Sequence, residues 1–206
     1  MRKMALLICV LASAPSLYTQ NGLRNVDFKN FAYPLSGPLL GHHNLQWLEN
    51  LESGYSHRKA FRLVNGREQE DEKSGESGTE SGRFAGFSFD SVQYADVTGD
   101  GEDDAIVVLA YHTGGTQQSD YIYIYSWENG APTLRAYCFT GDRANSGLYR
   151  VFAEQGNLVV DLFDPQKASA DCCSSGYVQT KYRWNKNRFI ILGKPTRGAV
   201  TPPEAH

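Results

Sequence analysis

The sequence predicts an all-β protein, an antiparallel meander that forms a sandwich or a partly open barrel with little helix. Three observations support this class: short runs of alternating apolar and polar residues recur, turns rich in glycine and asparagine separate them, and no long stretch has the apolar period of a helix. The composition, 41% hydrophobic and 21% charged residues with a net charge of -3, is that of a globular domain. It lacks the basic surface that nucleic acid requires.

The first 20 residues have the pattern of a secretory signal peptide. Arg2 and Lys3 give a positive start, Ala5–Ala12 supplies a short apolar core, and small residues follow. The apolar run is shorter than the roughly 20 residues of a membrane helix, and no other run is long enough. We therefore predict an extracytoplasmic protein, periplasmic or secreted, with no membrane span. A buried first strand or helix is the alternative for this segment.

One β domain is predicted over residues 21–193. Within it, residues 66–83 are rich in Glu, Gly and Ser and contain no aliphatic or aromatic residue. Such a segment cannot bury enough apolar surface to offset the entropy of ordering, so it is predicted to be a mobile acidic loop. Residues 194–206, which include three prolines, are predicted to form a flexible tail.

Ten strands are predicted from the alternating apolar runs. The clearest is Tyr121–Trp127, in which tyrosine alternates with isoleucine, and Asn129-Gly130 after it supplies the positive φ angles of a tight hairpin turn. The predicted strands cover residues 23–34, 58–65, 84–94, 105–111, 121–127, 133–139, 148–154, 158–163, 177–184 and 188–192.

An oxygen-rich loop, Asp96-Val-Thr-Gly-Asp-Gly-Glu-Asp-Asp104, lies between two of these strands. Its alternate positions carry oxygen ligands: Asp96, Thr98, Asp100, Glu102 and Asp104. Gly101 allows a sharp turn, and calcium prefers about six to eight oxygens from carboxylates and carbonyls. We therefore predict one structural calcium ion here, with Glu102 contributing its carbonyl. The alternative is a turn closed only by side-chain hydrogen bonds to its own backbone.

This loop resembles the calcium loop of the FG-GAP and VCBS repeat class, whose pattern is Asp-x-Asp-x-Asp-Gly-x-x-Asp between strands. It also resembles the first half of an EF-hand or dockerin loop, but the flanking β-rich segments favour the strand-flanked class. The resemblance implies ligands at Asp96, Asp100 and Asp104 with the carbonyl of Glu102, whereas Thr98 departs from the usual Asp or Asn. The motif occurs once, as in exported bacterial proteins that carry one such loop, and implies no reaction.

Three cysteines follow the signal peptide, at Cys138, Cys172 and Cys173. An oxidising compartment favours a disulfide. Pairing of Cys138 with one of the two neighbours is the first choice, and a bridge between Cys172 and Cys173 is the alternative. The odd count leaves one thiol over.

The predicted binding surface is the aromatic face of the clearest strand. It consists of Tyr121, Tyr123, Tyr125 and Trp127. Such rings stack on sugars or anchor a protein partner. Core packing within a sheet is the alternative for these residues.

The chain contains no nucleophile elbow, P-loop or metalloprotease signature, so no catalytic residue is assigned. His112, which precedes a glycine-rich loop, is a candidate pocket residue, and Asp161 and Asp164 near a strand end are a candidate carboxylate pair of the kind that glycosidases use. We expect a non-enzymatic binding or structural module that recognises an envelope protein or a polysaccharide. A hydrolase acting on envelope or extracellular polymers is the alternative.

Overall fold

The computed structural model describes residues 22–40, 59–69, 84–142, 145–170 and 173–201. Antiparallel strands and short 3-10 helices make up this part of the chain, which confirms the predicted all-β class. No helix within these ranges has the length and apolar character that crossing a membrane requires. The predicted signal peptide and residues 70–83 of the predicted acidic loop lie outside the described residues. The prediction was wrong at the start of that loop, where Arg67–Glu68 forms a short strand paired with residues 63 and 64.

Seven strands form the first sheet, and their order across the sheet is their order in the chain. Tight hairpins produce this meander; Asn129 and Gly130 have φ angles of 51° and 82°, as their sequence predicts. The strands are β1 (Ala32–Pro34), β2 (Ala60–Val64), β3 (Arg67–Glu68), β4 (Ala85–Ala95), β5 (Asp104–Thr113), β6 (Gln118–Glu128) and β7 (Ala131–Phe139).

Five further strands form the second sheet. They are β8 (Leu148–Glu154), β9 (Asn157–Phe163), β12 (Gly176–Asn185), β13 (Arg188–Ile191) and β14 (Thr196–Ala199). Their order across the sheet is β13-β12-β9-β8, and β14 pairs with β12. A two-stranded ribbon and a 3-10 helix, Pro165–Lys167, complete the fold. The ribbon consists of β10 (Ala168–Ala170) and β11 (Cys173–Ser174).

The prediction of a flexible tail from residue 194 was wrong where β14 forms. Thr196–Ala199 pairs with residues 176–179 of β12. The sequence of β14 shows no alternation of apolar and polar residues, so it gives no strand signal. The strand forms because backbone groups of β12 are available to pair with it. Gly198 is required there, since a Cβ would lie 2.3 Å from the Tyr177 ring.

The N-terminal segment, residues 22–40, also differs from its prediction. Of the predicted strand 23–34, Ala32–Pro34 forms a strand, and two 3-10 helices, Leu23–Asn25 and Phe28–Asn30, precede it. The Asp27 side chain accepts a hydrogen bond from the Lys29 amide and thereby caps the second helix. The segment packs its apolar side chains against the first sheet instead of adding a long strand to it.

Two hydrophobic clusters cover the two faces of the first sheet. The aromatic cluster joins the N-terminal segment to one face, and the aliphatic cluster joins the other face to the second sheet. Buried members of the aromatic cluster include Phe28, Tyr33, Phe61, Phe87, Tyr121, Tyr123 and Tyr125. Buried members of the aliphatic cluster include Ile106, Val108, Ile122, Ile124, Val151, Leu158, Val160 and Tyr182.

This arrangement corrects the predicted binding surface. Tyr121, Tyr123 and Tyr125 are 6%, 0% and 3% exposed, and Trp127 packs partly buried beside them. The predicted alternation with isoleucine is present, but both faces of β6 are covered. These rings are therefore core residues and not a binding surface.

The favoured disulfide is also absent from the structure. Cys138 is a free, buried cysteine within the aliphatic cluster, where burial raises its pKa to about 12. Cys172 lies outside the described residues, so the alternative bridge to Cys173 stays a prediction.

Candidate functional site

The predicted calcium loop connects β4 to β5, and Asp104 closes it from the inside. The Asp104 carboxylate is 1% exposed and accepts hydrogen bonds from the Val97 and Thr98 amides, both at 2.9 Å. Its other oxygen accepts from the Thr98 hydroxyl at 3.3 Å and from the Ser126 hydroxyl at 2.5 Å. Four hydrogen bonds use the acceptor capacity of one carboxylate. Asp104 therefore anchors the turn to β6.

The carboxylates of Asp96 and Asp100 accept hydrogen bonds from backbone amides of the same loop. Asp96 accepts from the Gly99 amide at 2.5 Å and from the Gly101 amide at 3.0 Å. Asp100 accepts from the Glu102 amide at 2.9 Å. Gly99 and Gly101 have φ angles of 76° and 86°, which explains why glycine occupies both positions. These bonds correspond to the alternative that needs no ion.

In this structure the carboxylates of Asp96, Asp100 and Asp104 accept hydrogen bonds from backbone amides and do not face a common centre. Across the described ranges, no group of three or more acidic, histidine or cysteine side chains could hold a metal ion. Asp103 instead pairs with Arg24, at 2.6 Å from its Nη2, which ties the loop to the N-terminal segment. A bound ion would require Asp96 and Asp100 to turn toward a common centre, so calcium binding stays a prediction.

A second candidate site lies on the outer face of the second sheet, away from the aliphatic cluster. Asp161 of β9 is 0% exposed, and its Oδ2 accepts a 2.5 Å hydrogen bond from Arg150 Nε of β8. Its Oδ1 is buried and has no hydrogen-bond partner within the described structure. An unsatisfied buried acceptor costs about 1–3 kcal/mol, and more when it is charged. Oδ1 of Asp161 is therefore a buried acceptor whose hydrogen bond a donor from outside the described structure could complete.

Aromatic rings surround the guanidinium of Arg150. Its Cζ lies 5.4 Å from the ring centroid of Tyr149, 5.1 Å from that of Phe152 and 5.3 Å from that of Tyr177. Its Nη2 donates to the Tyr177 hydroxyl at 3.5 Å. Yet the Arg150 side chain is 48% exposed, so solvent reaches this cluster. We call these five residues, Tyr149, Arg150, Phe152, Asp161 and Tyr177, the Asp161 site.

A β-bulge brings this site together. The register between β8 and β9 shifts between Leu148 and Arg150. Tyr149 and Arg150 are consecutive residues, which a regular strand would place on opposite faces. Here both contact Tyr177. Alternation along the sequence therefore cannot predict the site, although Asp161 within the otherwise apolar run of β9 was a visible signal.

The sequence predicts Asp161 and Asp164 as a candidate carboxylate pair, but each has its own arginine. Asp164 is 2% exposed and its Oδ2 accepts a 2.9 Å hydrogen bond from Arg197 Nε of β14. Its other oxygen accepts from the Gln166 amide at 3.0 Å. Asp164 is thus satisfied, and only Asp161 retains an oxygen without a donor.

His112 belongs to a third group on the first sheet. Its Nε2 lies 2.9 Å from the Ser88 hydroxyl oxygen on the neighbouring strand. Burial lowers the pKa of His112, and the nearby Arg67 lowers it further, so the imidazole is neutral at pH 7. A neutral imidazole beside a hydroxyl can accept its proton.

No family model, curated protein or solved structure matches the chain. The roles of the Asp161 site and of the pair Ser88 and His112 are therefore inferred from their own chemistry. The Asp161 site can accept a hydrogen bond, donate several and present aromatic rings, which suits binding. The pair Ser88 and His112 provides a hydroxyl and a base, without an acidic residue hydrogen-bonded to the imidazole among the described contacts.

Proposed function

We propose that this protein is an exported binding module for an extracytoplasmic polymer, and that the Asp161 site contacts that polymer. The single observation behind the proposal is the unsatisfied Oδ1 of Asp161 beside the half-exposed Arg150. A ligand donor at that oxygen would recover the free energy that the unbound protein lacks. The export part of the proposal depends on the signal pattern in residues 1–20.

Rigid positioning supports binding at this place. Asp161 lies in a strand with a partner on each side, since β9 pairs with both β8 and β12. Arg150 is placed beside Asp161 by a hydrogen bond and three rings, and its half-exposed side chain can adjust when a ligand arrives. Sites held by strands and packed rings lose little entropy on binding.

The test is cosedimentation with insoluble polymers, namely cellulose, chitin, bacterial sacculi and a proteinaceous envelope fraction. We expect wild-type protein to sediment with at least one of them and Arg150→Met to bind about tenfold more weakly, because charge-assisted hydrogen bonds are lost. Arg24→Met is the matched control. Arg24 is 49% exposed, pairs with an aspartate and lies 4.6 Å from the Tyr94 ring, but it belongs to the N-terminal segment and not to the second sheet.

No sedimentation of the wild type, or equal weakening by the two arginine variants, would contradict the proposal. Circular dichroism of each variant checks that the fold is intact.

The second candidate function is a hydrolase that acts on such polymers. It is favoured by the 2.9 Å approach of Ser88 and His112. The same assay separates the two functions, because a hydrolase releases soluble fragments from the polymer and Ser88→Ala would stop their release. Binding without fragments supports the binding module.

We further propose that calcium stabilises the loop between β4 and β5. The supporting observation is that the side chains of Asp100 and Glu102 are both exposed on one short loop, where like charges repel without a counter-ion. Calcium at about a hundred times its Kd should raise the Tm by several degrees. Asp100→Ala should abolish the rise, whereas Asp90→Ala, an exposed acid outside the loop, should retain it. An equal Tm in calcium and in excess chelator would refute the ion.

A further inference from the structure

We propose that the Asp161 site binds a sugar residue of a polysaccharide through two neighbouring hydroxyl groups, one donating to Asp161 and the other accepting from Arg150. This inference rests on the proposed binding function and narrows its ligand to one chemical class. Envelope proteins, the other class expected for a binding module, become an outcome of the test.

The unsatisfied oxygen of Asp161 limits the chemistry of the ligand. Oδ1 of Asp161 is an acceptor, so its ligand must carry a donor. Phosphate, sulfate and carboxylate groups have only acceptors when ionised, and their charge would repel the aspartate. The ligand group at this position is therefore a hydroxyl or an N–H.

Arg150 provides hydrogen-bond donors beside this oxygen. A guanidinium has five N–H donors, and two of those of Arg150 are used, by Asp161 and by Tyr177. The remaining N–H groups of Arg150 can donate to an acceptor on the ligand that lies close to the group that donates to Asp161. Two hydroxyl groups on adjacent carbons meet both requirements within a small distance, because each hydroxyl both donates and accepts.

Aromatic rings beside Arg150 can contact the ring of a sugar. The Tyr149 and Tyr177 rings lie 5.4 Å apart with an interplanar angle of 28°, and Phe163 lies 5.3 Å from Tyr149. The negative faces of such rings attract the positively polarised C–H groups of a sugar ring. The charges of Arg150 and Asp161 cancel, so the site favours a neutral ligand.

Access to Oδ1 requires one movement. The oxygen is buried, and the half-exposed Arg150 side chain is the movable group beside it. We expect a shift of this long side chain along the rings to expose the oxygen without a change in the strands. The sugar then replaces solvent at both groups.

The experiment uses the full chain and whichever polymer sediments it. Samples of that polymer are treated with periodate, which cleaves the bond between adjacent carbons that carry hydroxyls, or with proteinase K. We expect periodate to weaken binding at least about tenfold and the protease to leave it unchanged. Tyr149→Leu, which keeps the Arg150–Asp161 pair, should weaken binding to untreated polymer severalfold, and Arg24→Met should not.

Two results would overturn the inference while sparing the binding function: unchanged binding after periodate, or loss of binding after protease treatment, which would identify a protein partner. Absence of binding to every polymer would instead refute the binding function and this inference with it. Soluble oligosaccharides from the polymer should compete for wild-type protein, and a failure to compete also counts against the sugar.

Discussion

Asp104→Ala is expected to lower the free energy of unfolding by about 3–5 kcal/mol. The substitution removes four hydrogen bonds at once and leaves the buried Val97 amide and the Ser126 hydroxyl without their partner. It also releases the loop between β4 and β5 from β6. Urea unfolding followed by circular dichroism measures the loss.

Asp104→Asn provides the matched comparison and should cost about 1 kcal/mol or less. The amide oxygen can accept from Val97 and Thr98, as Oδ2 does now. The amide nitrogen can donate to the Thr98 and Ser126 hydroxyls, which rotate to accept. Equal damage by asparagine and alanine would show that the hydrogen-bond geometry is not what holds the loop.

The difference in stability between the wild type and Asp104→Asn depends on pH. Burial raises the pKa of Asp104 above its ordinary 3.8, although the hydrogen bonds from Ser126, Val97 and Thr98 oppose the rise. Just above that ordinary value the folded protein retains a proton that the unfolded chain has lost. The stability of wild type relative to Asp104→Asn should therefore fall as the pH rises from about 4. A constant difference across that range would contradict the raised pKa.

Tyr33→Ala should lower the free energy of unfolding by about 3–5 kcal/mol, as large-to-small changes of buried aromatic residues do. Tyr33 is 0% exposed, and its ring centroid lies 5.6 Å from that of Phe61 and 5.2 Å from that of Tyr123. Its hydroxyl donates to the Phe28 carbonyl at 2.7 Å. The substitution would detach the N-terminal segment from the aromatic cluster.

Two variants separate the causes of this loss. Tyr33→Phe removes only the hydroxyl and should cost about 1 kcal/mol. Tyr149→Leu, at a half-buried tyrosine of the second sheet, should cost much less than Tyr33→Ala. Unfolding in urea and limited proteolysis near residue 30 are the measurements. Similar stabilities for Tyr33→Ala and Tyr33→Phe would mean that the segment contributes little to the core.

The sequence predicts most of this fold because the strands are local patterns. The alternation of tyrosine and isoleucine in β6 and the turn at Asn129-Gly130 are both present as expected. The outcome for the aromatic face was not predictable, because period two assigns residues to faces but does not say what covers each face. Here the N-terminal segment covers one face and the second sheet covers the other.

The candidate sites were less predictable than the fold. Short-range hydrogen bonds decide the geometry of the acidic loop, and a spacing of oxygens is compatible with both an ion and a closed turn. The Asp161 site depends on a bulge and on pairing between β8, β9 and β12, which are long-range features. β14 was missed for the same reason.

The packing of the N-terminal segment sets the order in which the chain can fold. The Tyr123 hydroxyl donates to the Pro34 carbonyl across 89 residues, and the Tyr137 hydroxyl to the Leu35 carbonyl across 102. A ribosome that has made only the first hundred residues has supplied neither tyrosine. The earliest-synthesised part of the domain must therefore wait, with its aromatic side chains in water, until the later hairpin exists. Contacts so distant in sequence make folding slow, and during that interval the exposed apolar side chains favour aggregation.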